Sequence, residues 1–327
     1  MKRLLVFLFC VLLLTSCGHK GKLQSNIGLV FGTYYSFNYY ASENYQADFD
    51  SIFAVVNHSL STFDSTSIIS EINRSASPVR LDEHFIKIMD YSRYVSEQSG
   101  GAFDLTVAPL VNLWGFGYDP LDKSTFRSEE MVDSVRQIVG FDKISIVDSM
   151  LVKAEPRMKL DASAIAKGYA CDLIAECLKS KGVRDFMVDI GGEVVCGGCN
   201  PDYKPWRIGI VSPVDDSTQT INDYEQVVEL SDRAIATSGN YRQFYITKER
   251  KVSHTIDPRT GYPAESKVLS ASVLADECAI ADAYATSFIV LGDTTAIKDI
   301  IKASKYDIEA YIIVDNDGSH ISRHYTR

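Results

Sequence analysis

Basic side chains are the scarce charge in this chain: 33 Lys and Arg stand against 43 Asp and Glu, a formal net charge of −10 over 327 residues. That deficit excludes nucleic acid as the main partner, because a phosphate backbone is bound by a basic face. It leaves room for a local pocket that takes an anionic cofactor. Low-complexity tracts and repeats of about 20–50 residues are absent, which excludes solenoids and arrays. Long apolar runs are nearly absent too. The one present, Leu4–Leu14, is too short to cross a bilayer as a helix, which needs about 20 residues. What remains is an ordinary globular balance, 46% hydrophobic and 23% charged, at a length that allows one large domain or two modest ones.

The apolar run follows Met1-Lys2-Arg3 and is followed by Leu14-Thr15-Ser16-Cys17-Gly18. A basic start and a short apolar stretch have the form of a secretory signal. The sequence ahead of Cys17 resembles a bacterial lipobox, in which that cysteine becomes the lipidated first residue; a plain signal peptide with a chance cysteine is the alternative. Residues 1–16 are therefore expected to be a signal peptide, 17–27 a lipidated tether, and 28–327 the folded body, held to a membrane from outside the cytoplasm.

Five further cysteines remain: Cys171, Cys177, Cys196, Cys199 and Cys278. Cys196-Gly-Gly-Cys199 has no second CxxC or CxxH, which argues against a zinc site. A pair of thiols in a glycine turn, free or disulfide-linked, is the plain reading.

Apolar spacing predicts helices over Asp48–Leu60, from the Asp82 cap to Gly100, Ser128–Val139, Ser163–Lys181, Glu277–Leu291 and Ala296–Ala303. Strands are expected at Phe31–Ala41, Phe186–Ile190, Trp206–Val211, Gln226–Leu230, Arg242–Thr247, Val268–Ala275 and Tyr311–Val314. Without a regular βα alternation, the class is α+β and not a doubly wound parallel sheet.

Chemistry-bearing residues gather in a few places. Gly100-Gly101-Ala102-Phe103-Asp104 is either a ligand loop or a turn before an aromatic plug. Asp161 and Ser163 have the form of a helix cap, whose free amides can bind an anion, and Lys167 lies one turn further on. Lys there opposes the helix dipole, which suggests a use beyond solvation. Asp189-Ile-Gly-Gly-Glu193 follows a strand as a turn or a ligand loop. His254 lies in a dense polar run beside Asp257 and can be a base or a structural residue. Asp282 and Thr286 share one face of an otherwise apolar helix; a carboxylate there must be paired, hydrogen-bonded or metal-bound. Oxygen donors of that kind suit magnesium.

In order, GAFDLTVAPLVNLWGFG, LDASAIAKGYACD, DIGGE, TSGNYRQF, SHTIDPRTGYP and ADAYATSFIVLG resemble the successive motifs of the ApbE family, the FAD:protein FMN transferases, over about Phe31 to Gly292. The resemblance implies an ApbE-like, T-fold-related α+β fold, with mixed, mostly antiparallel sheets packed on helices and a ligand cleft between two halves. It implies transfer of the FMN half of FAD to a Thr or Ser hydroxyl of a target flavoprotein, with AMP leaving and Mg2+ required. The implied metal ligands are Asp282, Thr286 and the carbonyl of Ala164. FAD contacts fall on Phe31, Phe63, Ala102, Phe103, Asp104, Asp161, Lys167 and Thr255 or Ile256; His254, Lys167 and Asp161 take catalytic roles. Phe63 stands where the family often has Tyr or Trp. The implied acceptor is a subunit of a membrane redox complex, and the implied location is the periplasmic side of the inner membrane. Two other readings use the same motifs: an FAD pyrophosphatase that yields FMN and AMP, and an FAD-binding lipoprotein without turnover.

Overall fold

The computed structural model describes residues 21–213, 224–240, 244–247 and 251–327. The segment expected to be a signal peptide, Cys17 and Arg242 lie outside the described residues. The chain opens with the hairpin β1 (Lys22–Val30) and β2 (Thr33–Ala41), followed by α1 (Gln46–Leu60), α2 (Ile68–Arg74), β3 (Val79–Arg80) and α3 (Glu83–Gln98). Next come α4 (Ala108–Leu113), α5 (Glu129–Arg136), β4 (Ile144–Val147), β5 (Met150–Lys153), α6 (Ala166–Ser180), β6 (Phe186–Ile190) and β7 (Glu193–Gly197). The remainder is β8 (Trp206–Val211), β9 (Tyr224–Leu230), β10 (Arg233–Gly239), β11 (Phe244–Ile246), β12 (Lys251–Ser253), β13 (Val268–Ala275), α7 (Cys278–Leu291), α8 (Thr294–Ala303), β14 (Glu309–Asn316) and β15 (Ser319–Tyr325).

The class is α+β, as the sequence implied. An eight-stranded sheet runs β1-β2-β6-β7-β10-β13-β14-β15, and each neighbouring pair is antiparallel. Alternation in β2 sends Tyr35, Phe37, Tyr39 and Ala41 to the helical face, where they join side chains of α1, α3, α6, α7 and α8 in the main core. The other face is covered in part by the β8–β9 hairpin, through Trp206, Ile210, Val228 and Leu230. A third, smaller core joins α4 and α5 to Val252 and Ile256. Helix α7 is buried nearly all round, with Phe288, Ile289 and Tyr284 fully enclosed, so any polar group it carries needs an internal partner.

Three expectations are revised. Residues 22–27 were expected in a tether but belong to β1, in register with β2 from Lys22↔Ala41 to Val30↔Thr33. Phe31 and Gly32 are not strand residues; both have positive φ, 51° and 76°, and make the turn of that hairpin. The fourth helix starts at Ala166 and not Ser163, because Asp161 accepts from the amide and hydroxyl of Ser163 in a local turn that imitates a cap. Of the strand expected over Arg242–Thr247, Phe244–Ile246 is described as β11.

Candidate active site

The six sequence motifs are stitched to one another by contacts that the fold brings together. The amide of Asp161 donates to the carbonyl of Leu105 at 2.8 Å, joining the loops after Leu160 and after Gly101. Trp114 Nε1 donates to the carbonyl of Gly261 at 2.8 Å, joining the aromatic plug to the turn after His254. Ser238 Oγ lies 3.1 Å from Thr286 Oγ1, joining β10 to α7.

At the centre is an ionic cluster. Lys167, in the first turn of α6, places Nζ 3.2 Å from Glu193 Oε1 and 3.9 Å from Asp282 Oδ2. Glu193 stands at the start of β7, directed there by the Gly191-Gly192 turn, both of whose φ angles are positive. Glu193 and Asp282 are each only 3% exposed. Burial raises the pKa of both carboxyls, with Lys167 pulling the other way. Burial also opposes the charge on Lys167, but the carboxylates of Asp282 and Glu193 outweigh it and hold the ammonium above the usual lysine value. The dipole penalty foreseen for Lys167 is thus met by two buried acids.

Asp282 has a second role. Its Oδ2 accepts from the amide of Gly168 at 3.1 Å, so a side chain of α7 satisfies an N-terminal amide of α6, whose own cap residue, Ile165, offers no side-chain bond. The approach is close: a Cβ on Gly168 would stand 2.5 Å from the carbonyl oxygen of Cys278.

The residues named for a cation supply only oxygen: the Asp282 carboxylate, the Thr286 hydroxyl one turn on, and the carbonyl of Ala164 beside α6. Among the described residues no three His, Cys, Asp or Glu form a metal cage. A single carboxylate with neutral oxygens suits a hard cation that completes its shell with substrate phosphate and water. Glu193 Oε2, buried without a hydrogen-bond partner, leaves one more uncommitted oxygen on the acid that shares Lys167 with Asp282. The donor set therefore fits magnesium.

The remaining expected residues divide. Phe63 is 82% exposed on the turn after α1, with its ring open to a partner. Phe31 is half-buried against Phe53. Ala102 and Phe103 are 1% and 3% exposed, and the Phe103 ring packs in the main core, so only their backbone can meet a ligand. Ile256 is likewise committed to the third core, whereas Thr255 is half-buried. Asp104 is buried: Oδ1 accepts from the amide and hydroxyl of Thr106, and Oδ2 from the amide of Phe141. It braces its own loop. His254 is half-buried, its ring 6.3 Å from that of Phe116. Its sequence neighbour Asp257 is clamped by Arg259 through the guanidinium at 2.8 and 2.9 Å, so that carboxylate serves the turn. Beside this turn and the Gly100-Gly101 loop lies a cavity of about 660 Å³. Cys196 and Cys199 are free thiols.

Sequence reasoning did not assign a role to Glu193. It closes the Asp189–Glu193 glycine turn, and no local pattern announces a contact with a lysine 26 positions earlier.

Comparison with known proteins places this arrangement. A sequence profile of the ApbE family matches residues 31–312. The chain is 34% identical over 325 residues to the FAD:protein FMN transferase of Vibrio cholerae, covering 97% of this chain and 95% of that protein. It is 32% identical over 341 residues to that of Haemophilus influenzae, covering 99% and 96%. Among solved structures it is similar to flavin transferase ApbE from Vibrio cholerae, with a TM-score of 0.81 at 32% identity over 93% of this chain and 97% of that one. The apo form of Pseudomonas stutzeri flavinyl transferase ApbE gives 0.82 at 29%, over 93% and 95%.

Proposed function

The chain belongs to the ApbE family and is an FAD:protein FMN transferase, and we propose that the cluster of Lys167, Glu193 and Asp282 is where it handles the diphosphate of FAD. The observation that carries this reading is a buried pair of carboxylates around one ammonium at a helix N-terminus, joined by contacts to the other motifs.

In this reading Asp282, Thr286 and the Ala164 carbonyl hold Mg2+, which when bound neutralises charge on the diphosphate oxygens. Lys167 shares that charge, and Glu193 and Asp282 keep its ammonium in place. The Thr or Ser hydroxyl of the acceptor forms a new P–O bond to the FMN phosphate. The P–O bond of the diphosphate bridge breaks, and AMP leaves with the bridging oxygen. His254 takes the proton of the attacking hydroxyl, a task worth about 10²–10⁴-fold for a placed base. The exposed ring of Phe63 and the half-buried ring of Phe31 offer stacking surfaces to the flavin or adenine. Backbone at Ala102 and Phe103, and Asp161 and Thr255 nearby, line the approach.

The same proposal places the chain on the outer face of the inner membrane, tethered through lipidated Cys17, with a flavoprotein subunit of a membrane redox complex as acceptor. The sequence before Cys17 supports this. Two measurements test the whole: mass spectrometry of a co-expressed acceptor should show an FMN adduct on Thr or Ser, and Cys17→Ala should release the protein from membranes. Rapid FMN and AMP release without any adduct would replace the transferase with a hydrolase.

A further inference from the structure

Helices α6 and α7 finish each other's ends. Asp282 of α7 accepts from the Gly168 amide of α6 at 3.1 Å. One turn further along α6, Asp172 accepts from two α7 amides, Cys278 to Oδ1 at 2.7 Å and Ala279 to Oδ2 at 2.9 Å. These are the first two helical residues of α7, whose cap residue, Glu277, makes no side-chain cap of its own. Each helix thus lacks a local cap and takes a carboxylate from the other. Gly168 lets the two backbones meet, since a Cβ there would also stand 2.9 Å from the Ala279 nitrogen.

The contact has a directional consequence. Asp172 reaches the start of α7, and Asp282 lies four residues from Cys278, on the next turn. The bond from Asp172 therefore fixes where α7 begins, and with it how far Asp282 projects over Lys167 and the Ala164 end of α6. A bidentate carboxylate on two backbone amides is a stiffer link than apolar packing, because each bond has its own length and direction. Asp172 touches none of the residues that the proposed reaction uses; whatever it does for the site, it does through the helix.

We propose that Asp172 is a positioning residue: by capping α7 from α6 it sets the Asp282 carboxylate in the place where a divalent cation is held. This rests on Asp282 being a metal ligand. Partners that orient ligands from behind typically change metal affinity by about 10–100-fold when removed.

The test uses the full mature chain at pH 8 and Mn2+ alone as probe, with binding followed by electron paramagnetic resonance. Burial pushes the Asp172 carboxyl up to about 7, against the two amides, so at pH 8 it is ionised. Asp172→Asn keeps the shape and loses the charge and one acceptor. Mn2+ affinity should fall about tenfold or more. Val228→Ala, in the β9 layer on the far face of the sheet, serves as a comparison that lowers stability without touching the helix pair, and it should bind Mn2+ as the parent does. Asp172→Glu, which retains a carboxylate in reach, should lie between parent and Asn variant, and it decides the matter if the Asn variant does not fold. Parental affinity in the Asp172 variants, or an equal loss in Val228→Ala, overturns the positioning role. Failure of the parent to bind Mn2+, or undiminished binding by Asp282→Ala, would overturn the metal reading on which it stands.

Discussion

The Lys167 ammonium lies 3.2 Å from Glu193 Oε1, while the other oxygen of the same carboxylate, Oε2, is buried with no hydrogen-bond partner. A half-satisfied acid is costly in a protein interior, so it is tolerated here at the expense of stability.

Glu193→Gln tests that trade. The amide keeps the shape and removes the charge, leaving Asp282 at 3.9 Å as the described carboxylate partner of Lys167. Transfer of FMN should fall by about tenfold, in the range of a lost charge-assisted bond. Stability at pH 8 should be nearly unchanged, because burial pushes the Glu193 carboxyl up to about 8, so much of its charge is already absent there, and the amide oxygen can still accept from Lys167. Marked destabilisation at pH 8 would show that Glu193 is mainly structural.

The same logic reaches the whole chain through pH. Burial raises the carboxyls of Asp104, Asp172, Asp189, Glu193 and Asp282, that of Asp172 to about 7. The folded state keeps protons that the unfolded chain releases above about pH 4. Stability should therefore fall as pH rises from about 4 toward 7. Carboxyls with lowered values, such as Asp64 and Asp122, are at the surface and act only below that window. With chelator present, melting should occur at a higher temperature at pH 5 than at pH 7.5. Added Mg2+ should raise it more at pH 7.5, since cation binding needs ionised ligands. A melting temperature that climbs across this interval would refute the account.

Gly168→Ala probes the helix crossing. The added Cβ meets the Cys278 carbonyl oxygen at 2.5 Å, backbone that cannot turn aside. Overpacking of this kind costs about 1–3 kcal/mol, readable from denaturant melts. The helices must also part, so Mn2+ affinity should drop along with stability. An alanine variant as stable as the parent would mean that the crossing is looser than the structure shows.

His254→Ala should lower the maximal transfer rate by about 10²–10⁴-fold with FAD affinity nearly intact, measured by quenching of flavin fluorescence. Loss of FAD binding in parallel with rate would make His254 a binding residue. Asp257→Asn should behave differently, loosening the turn through Arg259 and reducing both.

Much of this was legible in the sequence, for reasons that can be named. Asp282 announces itself because a carboxylate in an apolar helix demands an internal partner. The Asp82 cap is legible because it is local: its side chain accepts from Phe85, three residues on. The start of α6 was misread for the converse reason. Asp161 and Ser163 imitate a cap, while the carboxylate that serves the helix comes from Asp282, 114 positions away in the chain. Asp104 has the residue type of a ligand contact, and only the fold reveals that it also ties its loop to Thr106 and Phe141. Phe103 and Ile256 lie in motifs, but burial assigns their side chains to cores. β1 was hidden because its outward residues Leu23, Ile27 and Leu29 are exposed and apolar, which blurs the alternation that marks a half-buried strand.

The shared ends of α6 and α7 bear on any attempt to move this chemistry to another scaffold. A single helix bearing Asp282 and Thr286 would arrive with its first amides bare and its acid uncommitted. The smallest transplantable unit is the crossed pair, Ala164 through Asp172 together with Cys278 through Thr286, since each half arrives already holding the other.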